Sequence, residues 1–185
     1  YDKGKGIDVN KEEAAKYYKM AADYDDVESM CIYGLKLINA DGVSTNYALA
    51  EKFLKKAIAN GDVNKMNKEY MSKKEIRAID NAYINASLAY ARLFDEGLSV
   101  KKNKKKAAEY IKKVADRGHV DSMFDYANRL YYNDEFKDKK YSNTNKKEAA
   151  KYYKLAADNG HKEAALKYAT MLKEGDGVYI NLNKS

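Results

Sequence analysis

The stretch NKKEAAKYYKLAADNGH, residues 145–161, matches NKEEAAKYYKMAADYDD, residues 10–26, at twelve of seventeen positions. A single compact core has no use for the same helical surface twice, so this repetition points to an array of units. Two further copies lie between. Each copy opens on an asparagine (Asn10, Asn46, Asn103, Asn145), with alanine four residues on (Ala14, Ala50, Ala107, Ala149) and then an aromatic (Tyr17, Phe53, Tyr110, Tyr152). A small or β-branched pair follows: Ala21-Ala22, Ala57-Ile58, Val114-Ala115 and Ala156-Ala157. These positions share one face of a 3.6-residue period. The pattern predicts an amphipathic helix, the B helix, with asparagine as N-cap and glycine just past its end (Gly61, Gly118, Gly160; Asp25 in the first copy).

A second pattern alternates with the first. SMCIYGLKLINADGV (29–43), ASLAYARLFDEGLSV (86–100), SMFDYANRLYYN (122–133) and AALKYATMLKEGDGV (164–178) align. A small residue (Ser29, Ala86, Ser122, Ala164) precedes a Tyr-small step (Tyr33-Gly34, Tyr90-Ala91, Tyr126-Ala127, Tyr168-Ala169) and then Leu37, Phe94, Leu130 or Leu172. Counted from the small residue, offsets 0, 4, 5 and 8 form the core face of an A helix. The Gly or Ala beside each tyrosine lets another backbone come close. A glycine-containing loop follows, GDGV at 175–178 and a truncated GKGI at 4–7.

The basic spacing is 36 residues, from Asn10 to Asn46 and from Asn145 to Asn181. Longer intervals place insertions at 134–144 and 62–83. The second carries Ile76, Ile79, Tyr83 and Ile84 at helical spacing, which predicts a backward extension of the next A helix. A helix pair at this period cannot bury its apolar face alone and stacks on its neighbours. The expected organisation is one array over 1–185, in units of roughly 1–26, 27–61, 84–118, 120–160 and 162–185. The chain opens near the end of an A helix and stops where a B helix would begin, without polar caps, so an excerpt of a longer array is expected.

Composition narrows the function. Proline is absent and glycine numbers only 10, which argues against disorder and collagen-like order. The net charge is +7, almost all from lysine, since arginine stands only at 77, 92, 117 and 129. Such a lysine- and asparagine-rich chain reflects an AT-rich genome as readily as an anionic partner. One cysteine, Cys31, permits no intrachain disulfide and suits a reducing, cytoplasmic setting. No apolar run reaches the ~20 residues of a membrane span, and no signal peptide is visible.

The combined pattern resembles the Sel-1-like repeat: small-x3-Tyr-Gly/Ala, a Gly-x-Gly-Val loop, then Asn-x3-Ala-x2-Tyr-Tyr-x2-Ala-Ala-Asp-x-Gly-His. That family is a subclass of the tetratricopeptide-like α-solenoids, and the resemblance covers nearly all of the chain outside the insertions. It implies an all-α, right-handed α/α solenoid of stacked antiparallel helix pairs, about four repeats long. It also implies a non-catalytic scaffold or adaptor that binds a protein or peptide on a concave face lined by the A helices.

Offsets 3, 6, 7 and 10 of each A helix point away from its expected core face: Ile32, Leu35, Lys36 and Asn39; Ala89, Arg92, Leu93 and Glu96; Asp125, Asn128, Arg129 and Tyr132; Lys167, Thr170, Met171 and Glu174. They vary between copies while the core positions do not. Lys36, Asn39, Arg92, Glu96, Asp125, Asn128, Arg129, Tyr132, Lys167 and Met171 are therefore the expected partner-binding residues. Arg92, Arg129 and Tyr132 are the preferred anchors by residue type. An inhibitor or immunity-type protein occluding one partner is an alternative. RNA or an anionic membrane could meet the lysine runs KKNKKK (101–106) and KDKK (137–140). Most tyrosines fall at core positions, which argues against a base-stacking surface. His119 and His161 occupy equivalent positions after a B helix and read as structural rather than as metal ligands. Cys31 reads as an inert, half-buried thiol. The glycine loops lack a P-loop lysine, and no triad or carboxylate pair converges, so no catalytic residue, cofactor or metal is expected.

Overall fold

The computed structural model describes residues 9–132 and 142–178. GKGI at 4–7, KDKK at 137–140 and the helix start at Asn181 lie outside them. Among the described residues all regular structure is helical: α1 (Lys11–Asp23), α2 (Val27–Asn39), α3 (Tyr47–Asn60), α4 (Lys73–Glu96), α5 (Lys104–Ala115), α6 (Val120–Tyr132), α7 (Ser142–Asp158) and α8 (Lys162–Glu174). The odd-numbered helices carry the B pattern and the even-numbered helices the A pattern. The chain divides into two compact units, Tyr1–Asn103 and Lys104–Ser185.

In the first unit, Asn10 and Asn46 cap α1 and α3 by accepting from the backbone N–H groups of Glu13 and Leu49, each at 2.9 Å. Three residues join α1 to α2, so the two pack antiparallel. Asp25 stands here in place of the glycine of later copies and takes the left-handed conformation itself, at φ 65. Aspartate is among the few side chains that tolerate this. Helix α2 packs against α1, α3 and α4. Its Tyr33 ring meets Phe53 of α3 edge-on at 5.0 Å. A methyl group added at Gly34 would sit 2.9 Å from the Leu54 side chain, so glycine sets the close approach of α3.

The loop after α2 folds back onto the start of α1. Gly42 has φ 75, and a Cβ there would lie 2.1 Å from the Lys11 carbonyl oxygen. Beside it, Asp41 pairs with Lys11 and Lys36, each at 2.8 Å. After α3 the chain departs from the repeat. Ser72 and Glu75 form a capping box, and α4 runs 24 residues against 13 in α2. The helical spacing of Ile76, Ile79 and Tyr83 thus becomes extra turns at the front of this A helix.

The second unit repeats these devices. Tyr126 of α6 meets Tyr152 of α7 edge-on at 4.8 Å, the counterpart of Tyr33 and Phe53. After α8, Gly177 at φ 73 lies against the Lys146 backbone, and Asp176 pairs with Lys146 at 2.7 Å and accepts from the Tyr131 hydroxyl at 2.7 Å. One expectation is corrected. Asn145 is not an N-cap, because α7 begins at Ser142. The third A helix lacks the glycine-containing loop found after α2 and α4, and no Gly or Pro in Ser142–Asn145 stops helix from forming earlier.

Four outcomes follow from this packing. Gly42→Ala should cost about 3 kcal/mol in urea unfolding, from backbone strain plus the clash with Lys11. Gly118→Ala, also at positive φ but with open space around it, should cost only about 1 kcal/mol. Hydrogen bonds from Lys11 and then Lys36 lower the Asp41 carboxyl from 3.8 to about 2. A depressed folded-state pKa stabilises above the unfolded value, so Asp41→Asn should lower Tm at pH 7, and the gap should close as pH falls from about 4 towards 2. Burial, helped by Glu28, pushes the Cys31 thiol up to about 12. Ellman's reagent at pH 8 should therefore label Cys31 only after denaturation.

Candidate protein-binding surface

The A helices bury a wider arc than offsets 0, 4, 5 and 8, most fully in α2, which has three neighbouring helices. Offset 7 goes inside in α2, α4 and α8. Lys36 is 4% exposed, Leu93 0% and Met171 2%. Offset 7 turns back toward the preceding B helix: the Lys36 ammonium lies 5.7 Å from the Tyr18 ring of α1 and is held by Asp41. Lys36 and Met171 are thus corrected from open surface to packed interior. Ala89, at offset 3, is buried as well.

The other expected residues stay at least partly accessible. Asn39, Arg92 and Glu96 are exposed, with Arg92 paired to Glu96 at 2.6 Å. Arg129 is half-buried and paired to Asp125 at 3.0 Å. Asn128 turns inward, its amide oxygen accepting from the buried Tyr153 hydroxyl at 2.7 Å. Tyr132 is 51% exposed, and Lys167 of α8 donates to its hydroxyl at 2.6 Å. The free stripe of α2 is therefore offsets −1, 3, 6 and 10: Glu28, Ile32, Leu35 and Asn39.

In the first unit this stripe lines a groove of about 290 Å³. Glu28, Ile32 and Leu35 of α2 form one side, over a floor that includes the almost fully buried Cys31. The other side comes from α4: Lys74, Arg77, Ala78, Asn81 and Asn85. Most of these belong to the extra turns of α4, so the insertion lies beside the A-helix face. Sequence reasoning passed over them, although a signal was present. If Ile76, Ile79 and Tyr83 face inward, then 74, 77/78, 81 and 85 share another stripe. Lys73, Lys74 and Arg77 stand in the first turns of α4, where the helix dipole disfavours cations. Lys74 and Arg77 form no ion pair, and Asn81 and Asn85 no side-chain hydrogen bond, among the described residues.

Other polar groups serve the fold. In the second unit Lys112 donates to the Tyr152 hydroxyl at 2.6 Å and pairs with Asp116 at 3.2 Å, while Tyr152 donates to Asp116. Burial works against the charge on Lys112, but these partners outweigh it and raise its pKa. Burial pushes the neighbouring Tyr126 hydroxyl up, and it donates to Glu148 at 3.2 Å. The two histidines are helix caps. His119 Nδ1 lies 2.8 Å from Ser122 Oγ, and His161 Nδ1 accepts from the Ala164 N–H at 3.2 Å. Lys104, Lys105 and Lys106 fall in the first turn of α5 rather than in a loop. Among the described residues no group of three or more His, Cys, Asp or Glu is placed to hold a metal ion, and no helix is long and apolar enough to cross a membrane.

The Sel1 repeat profile matches residues 1–25, 27–62, 84–119, 120–161 and 162–185. The crystal structure of a Sel1 repeat protein from Oxalobacter formigenes superposes with a TM-score of 0.71 at 24% identity, over 97% of this chain and 63% of that one. A protective antigen of uropathogenic Escherichia coli strains, displaying an SLR fold, superposes with a TM-score of 0.58 at 18% identity, over 98% of this chain and 41% of that one. At these identities the likeness concerns the fold, an α-solenoid. Comparison with curated proteins gives no match. Sel1 repeats generally mediate protein–protein interaction and are typically non-catalytic scaffolds. With five matched repeats spanning most of its length, the chain belongs to the Sel1 repeat family.

Proposed function

We propose that this chain is a non-catalytic scaffold that holds a partner protein or peptide on the free stripes of its A helices. The groove between α2 and α4 is the observation that carries this reading. It combines accessible apolar side chains, Ile32 and Leu35, with Lys74, Arg77, Asn81 and Asn85, which have no ion-pair or side-chain hydrogen-bond partner among the described residues. An apolar centre ringed by polar groups is the anatomy of a protein-recognition site. The exposed Arg92 and Tyr132 supply side chains of the types that anchor interfaces.

A pull-down from an extract of the source cells tests the reading. The immobilised chain should capture a protein that Ile32→Ser/Leu35→Ser or Arg92→Ala/Tyr132→Ala reduces at least tenfold, while circular dichroism shows both variants folded. Capture of nucleic acid or lipid instead, equal in all variants and released by high salt, would assign the site to the lysine runs and reject the scaffold reading. Capture of no protein beyond an unrelated helical control would reject it too.

A further inference from the structure

The extra turns of α4 are what this chain adds to its repeat; the matched repeats leave 63–83 uncovered. They also supply most of one side of the groove. What the groove selects can therefore be read from side chains that the repeat pattern does not contain.

Three features converge there. Asn81 and Asn85 lie four residues apart on α4, and both line the groove. Four residues of helix rise about 6 Å, close to the ~6.6 Å that two residues of an extended chain cover. An asparagine amide carries a donor and an acceptor side by side, as does a peptide unit. The two amides are thus spaced to pair with alternate peptide units of one extended strand. One and two helical turns before Asn81, Arg77 and Lys74 present two cations with no ion pair among the described residues. Glu28 is the one carboxylate lining the groove, so the lining is net positive. Across from the amides, Ile32 and Leu35 offer an accessible apolar surface.

We infer that the groove between α2 and α4 binds an extended peptide segment of another protein, one that carries an acidic residue next to an apolar one. The Asn81 and Asn85 amides hold the peptide backbone. The apolar side chain rests on Ile32 and Leu35, and the acidic side chain meets Lys74 and Arg77. This rests on the scaffold reading and names the class of segment selected. A net-positive lining with two unpaired cations is complementary to an acidic segment and penalises a basic one. A short groove of this size takes a few residues, which suits a linear motif rather than a broad domain face.

The probe is a phage-displayed library of random decapeptides, selected on the whole chain and on two variants. Asn81→Ala/Asn85→Ala changes exposed helix positions to the best helix former, so the fold is kept. Lys74→Glu/Arg77→Glu reverses the charge of the lining. The wild-type chain should enrich peptides pairing Asp or Glu with Leu, Ile, Val or Phe. By fluorescence anisotropy those peptides should bind Asn81→Ala/Asn85→Ala at least tenfold more weakly, and more weakly to wild type at high salt. The charge-reversed variant should enrich basic peptides instead. Absence of enrichment, enrichment without acidic residues, or equal affinity for the asparagine variant would each overturn the proposal. A protein captured from the extract that binds Asn81→Ala/Asn85→Ala as well as wild type would leave the scaffold reading standing and discard this one.

Discussion

Each unit depends on how closely a B helix can approach the A helix before it. At the Tyr-small step of α2, Gly34 has no side chain, and Leu54 of α3 occupies the space a methyl group would take. Tyr33 and Phe53 then meet edge-on, an arrangement worth about 1 kcal/mol beyond the area it buries. Ala127, Tyr126 and Tyr152 build the same joint in the second unit. A larger residue at the small position would hold the helices apart, and the aromatic pair beside it would open.

This closeness has consequences around the whole A helix. With α1, α3 and α4 against it, α2 keeps only a narrow strip accessible. The loop that leaves an A helix lies on the backbone near the start of the preceding B helix, at Lys11 in α1 and Lys146 in α7, which is why Gly42 and Gly177 recur at positive φ. Asp41 and Asp176, beside those glycines, fasten the loop with a lysine from that same residue, Lys11 or Lys146. Polar groups near these joints find partners inside the fold. Lys74, Arg77, Asn81 and Asn85 in the α2–α4 groove find none among the described residues, and that difference separates a structural polar group from a candidate binding one.

Much of this was legible from residue spacing. The helices, their alternation and the caps at Asn10 and Asn46 followed from periodicity and from the side-chain chemistry of asparagine. The cap at Asn145 did not hold, because a helix start depends on what the preceding loop permits. The outward stripe was legible only in part. Asn39, Arg92, Glu96 and Tyr132 are exposed as the pattern implied. Lys36 is not, because a buried ammonium is tolerable where a carboxylate reaches it, and Asp41 comes into reach only once the loop has folded back. Met171 and Leu93 are buried as well, so the inward arc of an A helix is wider than the one face its Tyr-small pattern marks.

The sequence by itself determined that this chain is a helical repeat, which residues turn inward at the Tyr-small steps of α2, α4 and α6 (though not of α8, where Ala169 and Leu172 are exposed), and where the repeat is interrupted. Those properties are local, set by period and by side-chain size. Only the tertiary structure decided that the interrupting residues run along the face of α2, and that Lys74, Arg77, Asn81 and Asn85 come to lie opposite Ile32 and Leu35. That placement depends on the packing of α2 against α4, two helices separated in sequence by a full B helix and the loops on either side of it, and no periodicity within either helix encodes it.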